Sequence, residues 1–310
     1  MFIEKAHSKR LDKKIFAILL LVLPVGFLFL MILNFLMTKD LDSAKMIKDM
    51  IDQFGANIAF VLMIIPLSIG FFVVLFWSKI VLGQDIKNLT TARSKVDWKR
   101  IFFSFFLWGF LSVLVVFIDY FVNPENYVFN FNLSKFLPFI ILSIILIPLQ
   151  TSFEEYLFRG QLMQGLGILS KNKWFSLLVT SVLFGIMHAA NPEVEKLGYL
   201  IMVYYIGTGL FLGIITLMDD GLELALGFHA ANNLFTALLV TSDWTAFQTH
   251  SILKDISEPS AGLTILFPVF VLFPMFLFIF SKKYNWTNWK EKLFGKINNS
   301  IEINTYDSTL

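Results

Sequence analysis

The sequence predicts an all-α, polytopic membrane protein of about eight transmembrane helices, and three observations carry that prediction. Of the 310 residues, 56% are apolar or aromatic and only 15% are charged, against about 25% charged in soluble chains. Mean hydropathy is +0.70, and 36 residues are Phe. The apolar residues fall into runs, most of them close to the roughly 20 residues that a helix needs to cross hydrocarbon. A soluble globule of this length could not hide so much apolar surface, so lipid is the solvent for most of the chain. The net charge of +2, with no basic stripe interleaved with aromatics, excludes a nucleic-acid partner. With no Cys, disulfides, thiolate catalysis, Cys-ligated zinc and palmitoylation are excluded as well.

The elements follow in order. A basic tail over 1–14 leads into a first span at 15–37. That run is longer than the roughly 7–15 residues of a signal-peptide core, and no small-x-small cleavage site follows it. From 39 to 53 charged residues mix with Met, Ile and Leu, which predicts a short interfacial helix. Further spans are expected at 56–82, 101–122, 136–150 and onward, 174–190, 197–218, 222–241 and 262–281. Asp119 stands near the outer end of the third span, within reach of the interface. No internal repeat is evident, and the polar tail after Gly295 is expected to be disordered.

Basic residues set the expected orientation. Lys5, Lys9, Arg10, Lys13 and Lys14 precede the first span, and Lys87, Arg93, Lys95, Lys99 and Arg100 follow the second. Lys282, Lys283, Lys290, Lys292 and Lys296 follow the last. The alternate connections are acidic or polar: Asp40, Asp42, Asp49 and Asp52, then the Asn-rich 123–132, then Glu193 and Glu195. Lys39, Lys45, Lys48, Lys135 and Lys196 count against this pattern and are outnumbered. Eight spans would thus put both termini in the cytoplasm of a multi-pass cell-membrane protein, in a chain whose Phe, Ile, Lys and Asn content looks bacterial. The connection at Asp219, Asp220 and Glu223 adds no basic residue, which leaves the sixth and seventh spans the least constrained.

Ionisable groups inside spans carry the chemistry, because each costs roughly 2.5–3.5 kcal/mol at a helix centre on insertion scales. The fourth span continues through Thr151-Ser152-Phe153-Glu154-Glu155-Tyr156-Leu157-Phe158-Arg159. Glu155 and Arg159 are four apart on one face, with the Glu on the favourable N-terminal side, whereas Glu154 projects elsewhere. In a soluble helix such a cluster would be an ordinary ion pair or a wetted face. Here it accompanies two histidines within spans, His188 and His229, while His7 and His250 fall in the tail and a polar loop. His229 and Asn233 share a face and Asn232 turns away. Ala189, Ala190, Gly227, Ala230 and Ala231 allow close helix approach. At about 1.5 Å per residue, Glu154 lies roughly 24 Å from a helix end near Ser170, and His188 roughly 22 Å from its start near Lys173. His229 is only about 10 Å beyond Leu222, so its helix should begin earlier or tilt.

A Glu and a His around one water form a base for hydrolysis, and His229 with Asn233 could donate to a developing oxyanion. Alternatively Glu154, His188 and His229 could hold a zinc ion with an open position for water. The His-Glu-x-x-His zincin motif, the Gly-x-Ser-x-Gly elbow and the glycine-rich phosphate loops are missing. Hydrolysis within the membrane is the coherent chemistry left.

Glu154-Glu155-x-x-x-Arg159, Phe184-x-x-x-His188 and His229-x-x-x-Asn233, in that order, resemble the three-motif signature of the CPBP family. That family comprises the type II CAAX prenyl endopeptidases and the bacteriocin-processing (Abi) membrane proteases. The resemblance covers 150–241, and Val96-Asp97-Trp98-Lys99-Arg100 also looks like bacterial members. It implies a membrane endopeptidase, with Glu154 and His188 activating water and His229 and Asn233 lining the oxyanion site. Glu155 and Arg159 would support the helix. The chain then divides into a cytoplasmic tail (1–14), N-terminal transmembrane helices (15–125), a protease-like core (126–245), a last-helix region (246–281) and a second cytoplasmic tail (282–310). The expected partners are a peptide or membrane-protein substrate and the bilayer; zinc is the one cofactor the donors suggest. A noncatalytic scaffold or regulator would show degenerate motifs, and all three are intact. A proton- or ion-coupled transporter would show repeat symmetry and matching broken helices, and neither is evident.

Overall fold

Apolar side chains turned to lipid leave the backbone only its own hydrogen bonds, and the chain answers with helices almost throughout. A computed structural model describes residues 1–38 and 41–297. In chain order the helices that matter here are α1 (Lys13–Thr38), α2 (Ser43–Phe54), α3 (Ala56–Val81), α4 (Trp98–Val122), α5 (Leu133–Ser170), α6 (Lys173–Ile186), α7 (Pro192–Asp219), α8 (Glu223–Leu239), α9 (Ile265–Tyr284) and α10 (Trp289–Phe294). Polar side chains start several of them. Asp42, Asp97, Asn132 and Asn172 each accept from a backbone N–H of the first turn, satisfying one of the donors a helix start leaves free.

Every expected apolar run becomes a helix, but the count of eight crossings is not met by length and composition. Six helices qualify: α1, α3, α4, α5, α7 and α9. The other two, α6 and α8, have 14 and 17 residues. They are also the helices that lead to His188 and carry His229. Both are packed among the longer helices, and the burial of Thr180, Ser181, Phe228 and His229 shows why they need no continuous apolar face. Glycine makes this packing close. A Cβ at Gly227 of α8 would run into the Ile101 carbonyl oxygen of α4, and one at Gly209 of α7 would lie 2.7 Å from that of Ser181 in α6.

Helix α5 runs for 38 residues, far beyond what the hydrocarbon alone requires. Pro138 and Pro148 interrupt its hydrogen-bond ladder, and directly after Glu155 it widens into a π-helical stretch, Tyr156–Leu162. Such widenings recur at functional sites because they re-aim side chains without ending the helix. The expected interfacial helix forms as α2; Lys39 and Asp40 before it, and the tail from 298 onward, lie outside the described residues.

Direct bonds sort the connections into two faces. On one face Arg93 reaches Asp219 and Glu223, Arg100 reaches Asp219, and Lys292 reaches Asp220 at 2.7 Å. The backbone N–H of Phe2 also donates to Asp220, and Lys173 meets Glu4 at 3.3 Å. The acidic connection without basic residues of its own is thus held by basic residues from the loop before α4, from the first turn of α4 and from the C-terminal segment. On the other face the all-α expectation has one exception, a small sheet in the order β1 (Tyr127–Phe129), β3 (Leu253–Asp255), β2 (Val240–Thr241). Its β1–β3 pair is antiparallel and its β2–β3 pair parallel. Asp119 stands beside it, accepting from Asn123 at 2.8 Å and from the Tyr127 hydroxyl.

Because the chain has no Cys, single cysteines report sidedness cleanly. Lys95→Cys and Lys290→Cys should label from the same side of the membrane, and Glu125→Cys from the opposite side, with an impermeant maleimide on cells and on inverted vesicles. Labelling of positions 95 and 290 from opposite sides would overturn the two-face arrangement.

Candidate active site

Site geometry begins on α5. Gln150 and Glu154 are one turn apart, and the Gln150 amide donates to Oε1 of Glu154. Glu155, adjacent in sequence, points elsewhere. Its Oε1 accepts from Nη1 of Arg159 at 2.9 Å and from Nδ1 of His229, on α8, at 2.7 Å. Glu155 and Arg159 are both 0% exposed, and charges so placed persist only when paired and hydrogen-bonded. The second arm of the guanidinium, Nη2, donates to the Gly209 carbonyl of α7 at 3.0 Å, and its centre lies 4.3 Å from the centroid of Phe184. One ion pair therefore ties α5, α7 and α8 together against the ring at the end of α6.

His188 is not within α6 as expected. The helix ends at Ile186, and His188 sits in the turn that follows. Its Nδ1 lies 2.9 Å from the Phe184 carbonyl oxygen, which can only accept, so Nδ1 carries the hydrogen and Nε2 has the free lone pair. The ring stacks on Tyr205 with centroids 4.5 Å apart. By the same reasoning His229 donates from Nδ1 to the Glu155 carboxylate, and its Nε2 stands 3.6 Å from Oε2 of Glu154.

Glu154, His188, His229 and Asn233 line one cavity of about 400 Å³, together with Gln150, and Oε2 of Glu154 is buried without a hydrogen-bond partner among the described residues. The residues singled out from the sequence are thus brought together, with three differences of placement. His229 stands beside Glu154, because Glu155 anchors its other nitrogen. Asn232 does not turn away: it also lines the cavity, donates to Oδ1 of Asn233 at 3.1 Å, and accepts from Trp108 at 3.2 Å. Helix α8 starts no earlier than Glu223, and His229 reaches the site because the whole first turn of α8, from Leu222 on, is itself buried. Sequence reasoning misses Gln150, although its four-residue spacing from Glu154 is a signal that could find it. Its Oε1 also accepts from Asn233 at 3.2 Å, which joins α5 to α8 a second time. Tyr205 and Glu193 also line the cavity, and nothing in their sequence context marks them.

The donors do not close on a metal. Among the described residues no group of three His, Asp or Glu is placed to hold one. Glu155, the carboxylate closest to a histidine, is already shared between Arg159 and His229.

Residues 132–235 match the family described as type II CAAX prenyl endopeptidase Rce1-like. The chain is 34% identical over 217 residues to an uncharacterized protein, YyaK, of Bacillus subtilis (strain 168), an alignment covering 69% of this chain and 70% of that one. No solved structure matches. The chain belongs to the Rce1-like family, as the three motifs lead one to expect.

Removing one member of a buried ion pair strands the other, at a typical loss of about 3–5 kcal/mol. Arg159→Ala should therefore lower the melting temperature sharply in detergent, whereas Glu154→Gln should melt near wild type, since its Oε2 has no partner to lose. An unchanged melting temperature for Arg159→Ala would remove the Glu155 pair as the support of the site.

Proposed function

We propose that this chain is a membrane-embedded endopeptidase that hydrolyses a peptide bond with water activated by Glu154 and His188. One observation carries the reading: Glu154, whose buried Oε2 has no hydrogen-bond partner among the described residues, lines a cavity together with His188, His229 and Asn233. A buried carboxylate oxygen with no partner is unfavourable at rest and suits a group that receives a proton in the reaction.

In this mechanism Oε2 of Glu154 and Nε2 of His188, both acceptors, hold one water. Glu154 takes a proton as the water oxygen attacks the scissile carbonyl carbon. The carbonyl π electrons pass to oxygen, and this oxyanion takes a hydrogen bond from the Asn233 amide. Asn233 has two N–H donors, and only one is used by Gln150. His229, held by Glu155, places Nε2 beside the same carboxylate and can pass a proton to or from it. Collapse of the tetrahedral species breaks the C–N bond, and the proton held by Glu154 goes to the leaving amine. The products are a carboxylic acid and an amine, and no step runs through a metal.

The substrate in this reading is a peptide or membrane protein that enters from the bilayer. Prenylation is not required by anything in the cavity, and the prenyl label comes with the fold family. The basic residues around both termini favour a cytoplasmic position for them, in a bacterial plasma membrane.

Loss of a general base or of an oxyanion donor typically slows an enzyme by about 10²–10⁴-fold. Glu154→Gln and His188→Ala should lose activity on that scale in a purified cleavage assay. Asn233→Ala should lower kcat with little change in KM. Full activity of Glu154→Gln would refute the assignment. Activity of the wild-type protein should also survive exhaustive chelation.

A further inference from the structure

Glu193 belongs to none of the three motifs, and by sequence it counts only as an acidic residue of a polar connection. It stands in the first turn of α7. Its Oε1 accepts the backbone N–H of Ala246 at 2.9 Å, while Oε2 is buried with no hydrogen-bond partner among the described residues. The side chain lines the same cavity as Glu154. That cavity therefore has two carboxylates on its wall, each with an orphaned oxygen. Among the described residues that line it there is no Lys or Arg.

The two orphans differ in their surroundings. Glu154 lies among His188, His229, Gln150 and Asn233, groups that can exchange protons and hydrogen bonds with a reacting centre. Glu193 is hydrogen-bonded to none of these; its side chain is held by the backbone of the segment between β2 and β3. Its bonding sets it apart from that chemistry, yet the residue lines the same cavity. The cavity wall also has an apolar side, with Phe27 and Met31 from α1 and Met63, Ile64 and Leu67 from α3. An occupant that suits both ends is an apolar segment carrying one positive charge. A buried carboxylate oxygen without a donor is completed best by a cation that brings its own N–H groups.

We propose that Glu193 is a specificity residue that accepts an ammonium or guanidinium group of the bound peptide. The preferred substrates are then apolar peptides with a cationic group at a fixed offset from the bond that is cleaved. That such peptides are substrates rests on the endopeptidase reading, but the cation site itself can be tested without cleavage.

Binding is measured to full-length Glu154→Gln protein in lipid nanodiscs, which separates recognition from turnover. The probes are apolar peptides of about 20 residues, each with a single Lys moved through successive positions, against the same series with Met. One set has acetylated N-termini and one has free N-termini. The expected result is a narrow set of positions, or the free terminus alone, at which the cation tightens binding by about ten-fold or more. Adding Glu193→Gln should abolish that advantage. Gln still offers an oxygen to the Ala246 N–H, and an unchanged melting temperature confirms that the variant is folded. Glu193→Lys should transfer the preference to peptides bearing Glu. A Lys advantage at no position, or one that survives Glu193→Gln, overturns the proposal. Cleavage by the wild-type protein is scored separately. A protein that shows the Lys pattern but cuts none of the peptides would count against the endopeptidase reading and uphold the cation site. Cutting that ignores residue 193 would do the reverse.

Discussion

The carboxylate of Glu155 is shared by Arg159 and His229, and the arrangement of the whole interior follows from having to bury it. In a bundle whose outer solvent is lipid, an ion cannot escape to water by a change of rotamer. The three groups must meet, and to meet they must draw α5, α7 and α8 to a common point beside Phe184. The close approaches at Gly209 and Gly227 are the steric counterpart of that demand. Once His229 is fixed through Nδ1, its other nitrogen has only the neighbourhood of Glu154 to face. The arrangement around Glu154 is thus a by-product of burying Glu155.

The different bonding of the adjacent glutamates is legible from spacing alone. Glu155 has Arg159 four residues on and Glu154 has no such partner, so helical geometry by itself separates the paired carboxylate from the other. The apolar runs are equally plain, because a lipid solvent leaves few alternatives to a helix. What spacing does not show is how helices distant in sequence meet. The bond from His229 to Glu155 joins residues 74 apart, and no periodicity encodes it. The turn that carries His188 is hidden for a different reason. Residues 187–190 hold no Gly or Pro to mark the end, and the Asn191-Pro192 breaker stands several residues past the last helical residue, Ile186. The small sheet leaves no trace in the sequence because its strands have two or three residues each, too few for an alternation to register.

The charge asymmetry of the loops has a structural content beyond orientation. By sequence Arg93 and Arg100 are members of a basic loop, and Asp219 and Glu223 belong to an uninformative acidic one. In the fold they complete each other, with Asp219 and Glu223 almost wholly buried under the two guanidinium groups. A positive loop next to a membrane is commonly read as an address. Here part of it is mortar.

That masonry is laid on one side only. The ionic links among the loop before α4, the α7–α8 connection, the N-terminus and the C-terminal segment are partly or fully buried, and buried links resist both salt and thermal fraying. Across the molecule the ties are a sheet of very short strands, a few hydrogen bonds to single backbone atoms, and an exposed Lys254–Asp243 pair of the kind that contributes little. The bundle is therefore stiff at one rim and compliant at the other, like a purse sewn shut along one edge. Local opening is therefore cheapest on the rim where Glu193 of α7 holds the segment between β2 and β3 through a single bond to the Ala246 backbone.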